Sequence, residues 1–221
     1  MNIAIIPARW GSQRIPKKNI KFFNGKPMIA YAISAARSSK LFERIIVSTD
    51  NEEIARISIE WGAEVPFFRP KQLADDYIGT MPVMTHAIEE CEKLGWDIAF
   101  ACCIYPCVPF IDFKDISNVY SLLLENDVDY SFPVTEFNSP IQRALIRDKR
   151  GQMSLLNPEF KLTRTQDLEK TYHDVGQFYW GKKEAWINNT DVLSGYGYPI
   201  PNWRVIDIDT PEDWKKAELM S

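Results

Sequence analysis

A basic loop follows the first hydrophobic run of the chain, and its residue types could bind an anion. The apolar run over residues 3–6 breaks at Pro7. Gly11 and Ser12 allow backbone N–H groups to approach an anion closely. Four cations lie within ten positions, namely Arg9, Arg14, Lys17 and Lys18. Because ligands of an open parallel sheet bind beyond the carboxyl ends of its strands, the loop predicts a phosphate site, with a solvated basic loop as the alternative.

Two aspartates near the end of the sequence form a second candidate site. Residues two apart on a strand point to the same side, so a strand over 204–208 would project Asp207 and Asp209 together while Ile206 and Ile208 face the core. Convergent carboxylates repel each other unless a cation lies between them, and Mg²⁺ prefers oxygen ligands. We therefore predict a Mg²⁺ site, with solvated acids at an exposed strand end as the alternative.

Composition limits the classes of protein that could carry these sites. A chain of 221 residues with 45% hydrophobic content fits one domain, residues 1–221, with a small insertion. Its net charge of −4 argues against a nucleic acid polymer as partner. The basic loop lacks the glycine patterns of a P-loop and of a dinucleotide fingerprint. We find no signal peptide and no membrane-length apolar run, so we predict a cytoplasmic protein without membrane contact, whose four cysteines are reduced packing residues.

Alternating strand and helix patterns predict the fold. Apolar and β-branched runs indicate strands, and i, i+4 apolar spacing indicates helices. The strands are predicted at 3–6, 44–50, 65–68 and 98–104, and the helices at 28–38, 52–61, 83–94 and 112–125. This order predicts an α/β fold with a Rossmann-like, doubly wound, mostly parallel sheet.

The middle of the chain has a different pattern. Short strand-like pieces at 131–135 and 144–146 alternate with polar turns, and Pro140 would not fit a central strand. We predict an insertion over residues 129–170 that carries its own ribbon. Strand and helix character resumes at 177–180 and 184–187, and a last helix follows Thr210, which we predict as its N-cap.

The order of residues in the basic loop resembles a family signature. Residues 6–19 match I-P-A-R-x-G-S-x-x-x-P-x-K-N, a pattern of the cytidylyltransferases that activate acidic sugars, the CMP-sialic acid synthetase family. Similar motifs lie at 47–50, 69–74, 164–168 and 204–213, so the resemblance spans nearly the full length. It implies a fold of the nucleotide-diphospho-sugar transferase type, with CTP and a nonulosonic acid as substrates. The sugar's anomeric hydroxyl would attack the α-phosphorus and pyrophosphate would leave, with no covalent enzyme intermediate.

The resemblance also implies roles for individual residues. The backbone of Ala8 would contact the cytosine ring. Asp207 and Asp209 would hold the metal and, with Arg9 and Lys18, form the catalytic group. The nucleotide-binding residues would be Ala8, Arg9, Gly11, Ser12, Gln13, Lys18, Asn19 and Arg69.

Two departures from the family pattern concern the loop and the sugar. Gln13 stands where the family usually has lysine, and whether Arg14 compensates is open. Tyr105 stands where sialic acid enzymes have glutamine. With residues 139–143 and 171–177, the chain most resembles the pseudaminic acid cytidylyltransferases. The predicted sugar-binding residues are Tyr105, Gln142, Arg143, Gln166, His173 and Gln177.

Several alternatives stay open at this point. The sugar could be N-acetylneuraminic acid, legionaminic acid or Kdo, and the chain could be a non-catalytic nucleotide-binding regulator. His173 could contact the sugar or deprotonate its hydroxyl, or only shape a turn. The resemblance implies a homodimer through residues 129–170, because that ribbon has no core of its own in which to bury its apolar side chains. Those side chains are Phe132, Val134, Leu155, Leu156 and Phe160.

Overall fold

Strands and helices alternate through the first half of the chain. The computed structural model describes residues 1–75 and 78–221. The elements of the first half are β1 (Asn2–Pro7), β2 (Phe22–Phe23), β3 (Lys26–Pro27), α1 (Ile29–Ser39), β4 (Arg44–Ser48), α2 (Glu52–Glu60), α3 (Thr80–Lys93), β5 (Phe100–Ile104) and α4 (Phe113–Asn126). The four predicted helices and the strands at 3–6, 44–50 and 98–104 are therefore confirmed, with ends that differ by a few residues.

The second half has shorter elements. They are β6 (Tyr130–Glu136), β7 (Leu145–Arg147), β8 (Met153–Leu155), β9 (Tyr172–Asp174), β10 (Phe178–Lys182), α5 (Lys183–Ile187), β11 (Tyr196–Pro199) and α6 (Pro211–Met220). Single 3₁₀ turns lie at Lys18–Ile20, Lys71–Leu73, Ile141–Arg143, Pro158–Phe160, Thr165–Asp167, Val192–Ser194 and Asn202–Arg204. The predicted N-cap is confirmed, because Thr210 and Asp213 form a capping box around Pro211 at the start of α6.

Within the described residues, seven strands form one mixed sheet in the order β11-β6-β10-β5-β1-β4, and β9 pairs with β6 beyond the residues that β10 contacts. Strands β4 and β5 are parallel to β1, β10 is antiparallel to β5 and β6, β11 is parallel to β6, and β9 is antiparallel to β6. Of the strands in the described part of the chain, five thus run one way, and β9 and β10 run the other way. The predicted α/β class with a mostly parallel sheet is confirmed.

Both faces of the sheet are covered, which explains the near-continuous apolar run in β1. Ala4 and Ile6 face a cluster that includes residues of α1 and α4. Ile3 and Ile5 face a second cluster that includes residues of α3 and α5. The sheet is therefore doubly wound, and β1 is fixed in its centre.

A third apolar cluster joins the two ends of the chain. It contains Ile15 from the basic loop, Ile208 from the segment before α6, and Trp214 from α6. Phe23 and Met28 complete the contact from the N-terminal side. The basic loop is thus held against the last helix.

Two of the predicted strands, at 204–208 and 65–68, do not form regular strands in the structure. Residues 205–209 are not part of a ladder, because side chains bind the backbone instead: Gln177 donates to the Arg204 carbonyl at 3.0 Å, and Lys18 donates to the Ile208 carbonyl at 2.6 Å. Residues 65–68 form only one isolated bridge, at Phe68, and a second isolated bridge lies just before them, at Glu64. Pro66, which has no backbone N–H, interrupts that pairing.

The predicted insertion starts one strand too early. Tyr130–Glu136, which lies inside the predicted range 129–170, is β6 and pairs within the main sheet. The part outside that sheet runs from 137 to 171 and contains the ribbon of β7 and β8. The strand-like piece at 131–135 does not reveal its place in the main sheet, because its partners β9, β10 and β11 come later in the sequence.

Candidate functional site

A cleft of about 520 Å³ opens at the carboxyl ends of β1 and β5. It is bordered by Pro7, which ends β1, and by Pro106, two residues past β5. This is the edge at which ligands of such sheets bind. The predicted site residues that line it are Arg9, Ser12, Gln13, Lys18, Asn19, Arg69, Tyr105, Asp207 and Asp209.

The basic loop is held by bonds along its length. Ala8 is fully buried, and its N–H donates to the Ser48 carbonyl at 2.9 Å, which extends the pairing of β1 with β4. Asn19 donates its amide to the Arg9 carbonyl at 2.9 Å. The N–H of Trp10 donates to Asp50 at 3.0 Å. The loop therefore presents a fixed backbone to the cleft, while its Gly11 borders an adjoining opening next to Arg9 and Ser12.

Asp209 is paired with two cations of the loop. Lys18 Nζ lies 3.2 Å from Asp209 Oδ1, and Arg14 Nη2 lies 2.9 Å from Asp209 Oδ2. Arg14 also lines the cleft, so the structure places its charge in the site. Sequence reasoning left the role of Arg14 open, since an exposed loop residue next to Gln13 could point either way.

Asp207 has a different environment. Among the residues that the structure describes, its carboxylate has no hydrogen bond or ion pair. Burial raises the pKa of Asp207, the negative charge of Asp209 raises it further, and Lys18 opposes these effects. The cleft thus holds one carboxylate that is paired with cations and one that forms no ion pair with the described residues.

Arg69 supplies a buried cation to the cleft wall. It is 5% exposed, and its backbone N–H donates to the Thr49 carbonyl at 2.8 Å. Nε and Nη2 have no hydrogen-bond partner in the described part of the chain. Burial lowers the pKa of Arg69, although Asp50 opposes this. Buried donors without partners are costly, so they suit a ligand rich in oxygen atoms.

Tyr105 forms the other end of the cleft. Its hydroxyl lies 2.7 Å from Thr80 Oγ1, and its ring packs edge-on against Tyr179. Burial raises the pKa of Tyr105 to about 12, so the phenol keeps its proton. Behind it lies a cavity of about 300 Å³, bordered also by Trp186 and Leu193.

Four of the predicted sugar-binding residues do not line this cleft. Gln142 donates to the Glu169 carbonyl at 2.8 Å, and Arg143 bonds to Thr165. His173 lies in a separate groove beside the Phe137 ring. Gln166 is on the 3₁₀ turn Thr165–Asp167. A single chain therefore does not bring them to Tyr105.

The remaining predicted residue, Gln177, lies behind the cleft. It is 4% exposed and its side-chain amide donates to the Arg204 carbonyl, while its side-chain oxygen Oε1 has no partner in the described part of the chain. Gly176, the residue before it, does line the cleft. Gln177 therefore contacts the segment that carries the aspartates.

Thr80 and Cys107 are among the cleft residues that sequence reasoning missed. Thr80 begins α3 and bonds to Tyr105, and a polar residue after Gly79 was the signal for a helix start at the cleft. Cys107 lines the cleft, where burial raises the pKa of its thiol to about 12. It is a poor nucleophile for that reason. All four cysteines are free thiols, as predicted.

Comparison with known proteins decides the family. A sequence model of the family described as Cytidylyltransferase matches residues 3–184, which is most of the chain. The chain belongs to the cytidylyltransferase family. The resemblance found in the loop signature is thereby confirmed, and the cleft of this cytidylyltransferase contains most of the residues that the signature singles out.

Relatives of this cytidylyltransferase cover its whole length. It is 37% identical over 221 residues to the pseudaminic acid cytidylyltransferase of Campylobacter jejuni subsp. jejuni serotype O:23/36 (strain 81-176), over 99% of this chain and 95% of the relative. It is 30% identical over 227 residues to the CMP-N,N'-diacetyllegionaminic acid synthase of Legionella pneumophila, again over 99% of this chain and 95% of the relative.

A solved structure supports the fold. CMP:2-keto-3-deoxy-manno-octonic acid synthetase complexed with CTP superimposes with a TM-score of 0.73 at 15% identity, covering 99% of this cytidylyltransferase and 97% of that chain. At this identity the likeness concerns the fold alone. Among the described residues, no helix combines the length and apolar character needed to cross a bilayer.

Proposed function

We propose that this cytidylyltransferase joins CTP to a nine-carbon sugar acid, pseudaminic acid, and releases pyrophosphate. The observation that carries the proposal is the cleft at the end of β1, where Arg14 and Lys18 meet Asp209 beside an unpaired Asp207. Cations there suit a triphosphate, and the acidic pair suits a divalent ion that accompanies it. The relative from Campylobacter jejuni supports the choice of sugar.

The reaction is a displacement at phosphorus. The anomeric hydroxyl of the sugar attacks the α-phosphorus, and the bond to the pyrophosphate oxygen breaks. Such reactions are catalysed mainly by positioning and by neutralising charge on the phosphate oxygens. Arg9, Arg14 and Lys18 line the cleft and would neutralise that charge, while Arg69 would donate its two unpartnered N–H groups to the nucleotide.

Mg²⁺ fits the residues present. Asp207 has a raised pKa and no counterion in the described part of the chain, so a cation would relieve its charge. The described residues contain no group of three or more acidic, histidine or cysteine ligands, so Asp207 and Asp209 would be the protein ligands and phosphate oxygens and water would complete the set. When bound, Mg²⁺ would stabilise negative charge on the reacting phosphates.

The cleft end at Tyr105 supports the choice of sugar. A phenol has one hydroxyl in place of the two hydrogen-bonding groups of an amide, so the site should accept a differently substituted sugar from the enzymes that have glutamine there. The cavity behind Tyr105 is bordered by Met81, Trp186 and Leu193 and would suit apolar substituents. Pseudaminic acid is therefore preferred to N-acetylneuraminic acid.

We further propose a homodimer through residues 137–171. Several apolar side chains of that segment are half-exposed or more, including Leu145, Ile146, Met153, Leu156 and Leu162. Gln142, Arg143, Gln166 and His173 lie outside the cleft of their own chain, and a second copy would allow some of them to reach a sugar site. Light scattering at micromolar concentration tests the dimer, and a monomeric mass would contradict it.

Incubation with CTP, Mg²⁺ and a panel of sugar acids tests the function. The panel contains pseudaminic, N-acetylneuraminic and legionaminic acids and Kdo, and pyrophosphate is measured. We expect the highest kcat/KM with pseudaminic acid. A higher value for N-acetylneuraminic acid would contradict the sugar assignment. If the protein binds CTP but releases no pyrophosphate from it with any of the sugars, a nucleotide-binding regulator would be favoured. The free cysteines support a cytoplasmic location, which fractionation of the producing cell would test.

A further inference from the structure

The segment that carries the two aspartates is fixed by side chains. Residues 205–209 have no strand ladder, so hydrogen bonds of a sheet do not set the place of Asp207. The downstream end is held because Ile208 is buried in the third cluster and the N–H groups of Asp209 and Thr210 donate to Asp213, at 3.1 and 2.8 Å. Asp207 lies between that end and Arg204.

The upstream end is held by a buried ion pair. Asp115, in the first turn of α4, is 5% exposed, and Arg204 Nη1 donates to its Oδ2 at 2.5 Å. Asp112 lies 3.7 Å from the same nitrogen. Because α4 is packed against the sheet through Ile116 and Val119, both fully buried, this pair ties the segment to a rigid element.

A second bond holds the same residue from the sheet. Gln177, next to β10, is 4% exposed and donates to the Arg204 carbonyl at 3.0 Å. Arg204 is therefore fixed through its side chain by α4 and through its backbone by the sheet. Asp207 is three residues further on, about 10 Å of extended chain at most, so a shift at Arg204 changes where its carboxylate lies.

We infer that Asp115, Arg204 and Gln177 are positioning residues that set the place of Asp207 in the cleft. The inference rests on the proposed role of Asp207 as a metal ligand. It goes beyond that role because none of the three residues lines the cleft. Groups that orient metal ligands typically change metal affinity or activity by about 10–100-fold when they are removed.

The experiment compares Asp115→Asn with a matched control. The control is Glu64→Gln, which makes the same carboxylate-to-amide change in the Arg44–Glu64 pair, whose atoms lie 2.6 Å apart at the other edge of the sheet. Mn²⁺ binding in the presence of CTP, without sugar, is measured by electron paramagnetic resonance. We expect the Mn²⁺ Kd of Asp115→Asn to rise by about ten-fold, and that of Glu64→Gln to equal wild type.

Kinetics separate a positioning role from a structural one. For Asp115→Asn we expect half-maximal pyrophosphate release at about ten-fold higher Mg²⁺, with kcat largely restored at saturating Mg²⁺. A merely structural role would lower the Tm. It would leave the Mn²⁺ Kd, and the Mg²⁺ concentration for half-maximal pyrophosphate release, at the wild-type values. That result in a folded Asp115→Asn protein would overturn the inference.

A second variant covers the case in which Asp115→Asn does not fold. Gln177→Leu removes only the bond to the Arg204 carbonyl, and the Mn²⁺ measurement without sugar excludes any contact of Gln177 with the sugar. We expect a smaller rise of the Mn²⁺ Kd in the same direction, and a wild-type value would overturn the inference. If the wild-type protein itself binds no Mn²⁺ with CTP, the proposed metal site fails first.

Discussion

The strand β1 beside the cleft and the segment 137–171 bury their apolar side chains to different extents. Ile3, Ile5 and Ile6 of β1 are fully buried between two layers of helices. In the segment, Leu145 is 57% exposed and Leu162 is 91% exposed. Burial within one chain therefore fixes the cleft, whereas the segment has surface left for a second molecule. Changes on the two sides should have separable effects on activity, stability and assembly.

The largest expected effect is on activity and leaves the fold intact. Asp207→Asn and Asp209→Asn each remove one of the two proposed metal-binding carboxylates with little change of shape. Metal stabilisation of phosphate charge amounts to several kcal/mol, so we expect kcat to fall by about a thousand-fold. Pyrophosphate release measured against Mg²⁺, together with thermal melting, checks this. Near-normal activity in both variants, or full activity in EDTA, would falsify the assigned role.

The next effect tests the difference in burial directly. Ile33→Ala in α1 leaves a cavity in the core, and we expect the free energy of unfolding to fall by about 2–5 kcal/mol. Leu162→Ala changes a side chain that is almost fully exposed in a single chain, so at protein concentrations low enough to dissociate the proposed dimer the expected change is within about 0.5 kcal/mol. Urea denaturation of both variants at one protein concentration measures the difference. Equal losses would show that the segment is packed in solution.

A smaller effect is expected for the charge of the loop. Gln13→Lys adds a cation where the family usually has one, but Arg14 already points into the cleft. We expect the low end of the range for a charge-assisted hydrogen bond, about 1.5 kcal/mol, and hence a roughly ten-fold lower KM for CTP. Steady-state kinetics at saturating sugar measures it. An unchanged KM would show that Arg14 supplies the missing charge.

The smallest effect concerns pH and the metal-free protein. The pKa of Asp207 is raised in the folded state, so its ionised form lowers the free energy of unfolding at neutral pH. This cost disappears as the pH falls through the raised pKa. Because solvent screens the exposed carboxylate of Asp207, we expect the Tm of Asp207→Asn in EDTA to be only slightly above that of wild type at pH 7, with the difference vanishing in acid. Asp209→Asn loses two ion pairs and should melt lower.

The sequence predicted the elements whose pattern is local. The apolar spacing of α1 and the capping residues of α6 placed both helices nearly at their observed bounds. It failed where distant side chains decide the structure. Residues 204–208 alternate as a strand does, and Ile208 is buried as predicted, but Gln177 and Lys18 occupy backbone groups that a ladder would need.

The site follows the same rule as the fold: residues close in the sequence were predicted together, and contacts between distant residues were not. Motif residues near β1 gather in the cleft because they lie close together in the sequence. Strand β11 was missed because Gly197 and Pro199 are unfavourable in strands, yet it pairs with β6 along four residues. The predicted sugar residues of the segment 137–171 lie away from the cleft of their own chain, and their role in sugar binding stays a prediction.

The third apolar cluster has a consequence for synthesis of the protein. Lys18 and the Ile208 carbonyl are 190 positions apart, and Ile15 is covered by Trp214 and Ala217. At a translation rate of about 5–20 residues per second, the residues that cover the loop are synthesised roughly 10–40 seconds after the loop itself. The strands of the sheet can pair in that interval, whereas the cleft is incomplete until the segment before α6 has been synthesised. A nascent chain stopped before residue 205 should therefore hold a sheet but expose Phe23 and Met28 to chaperones or to aggregation.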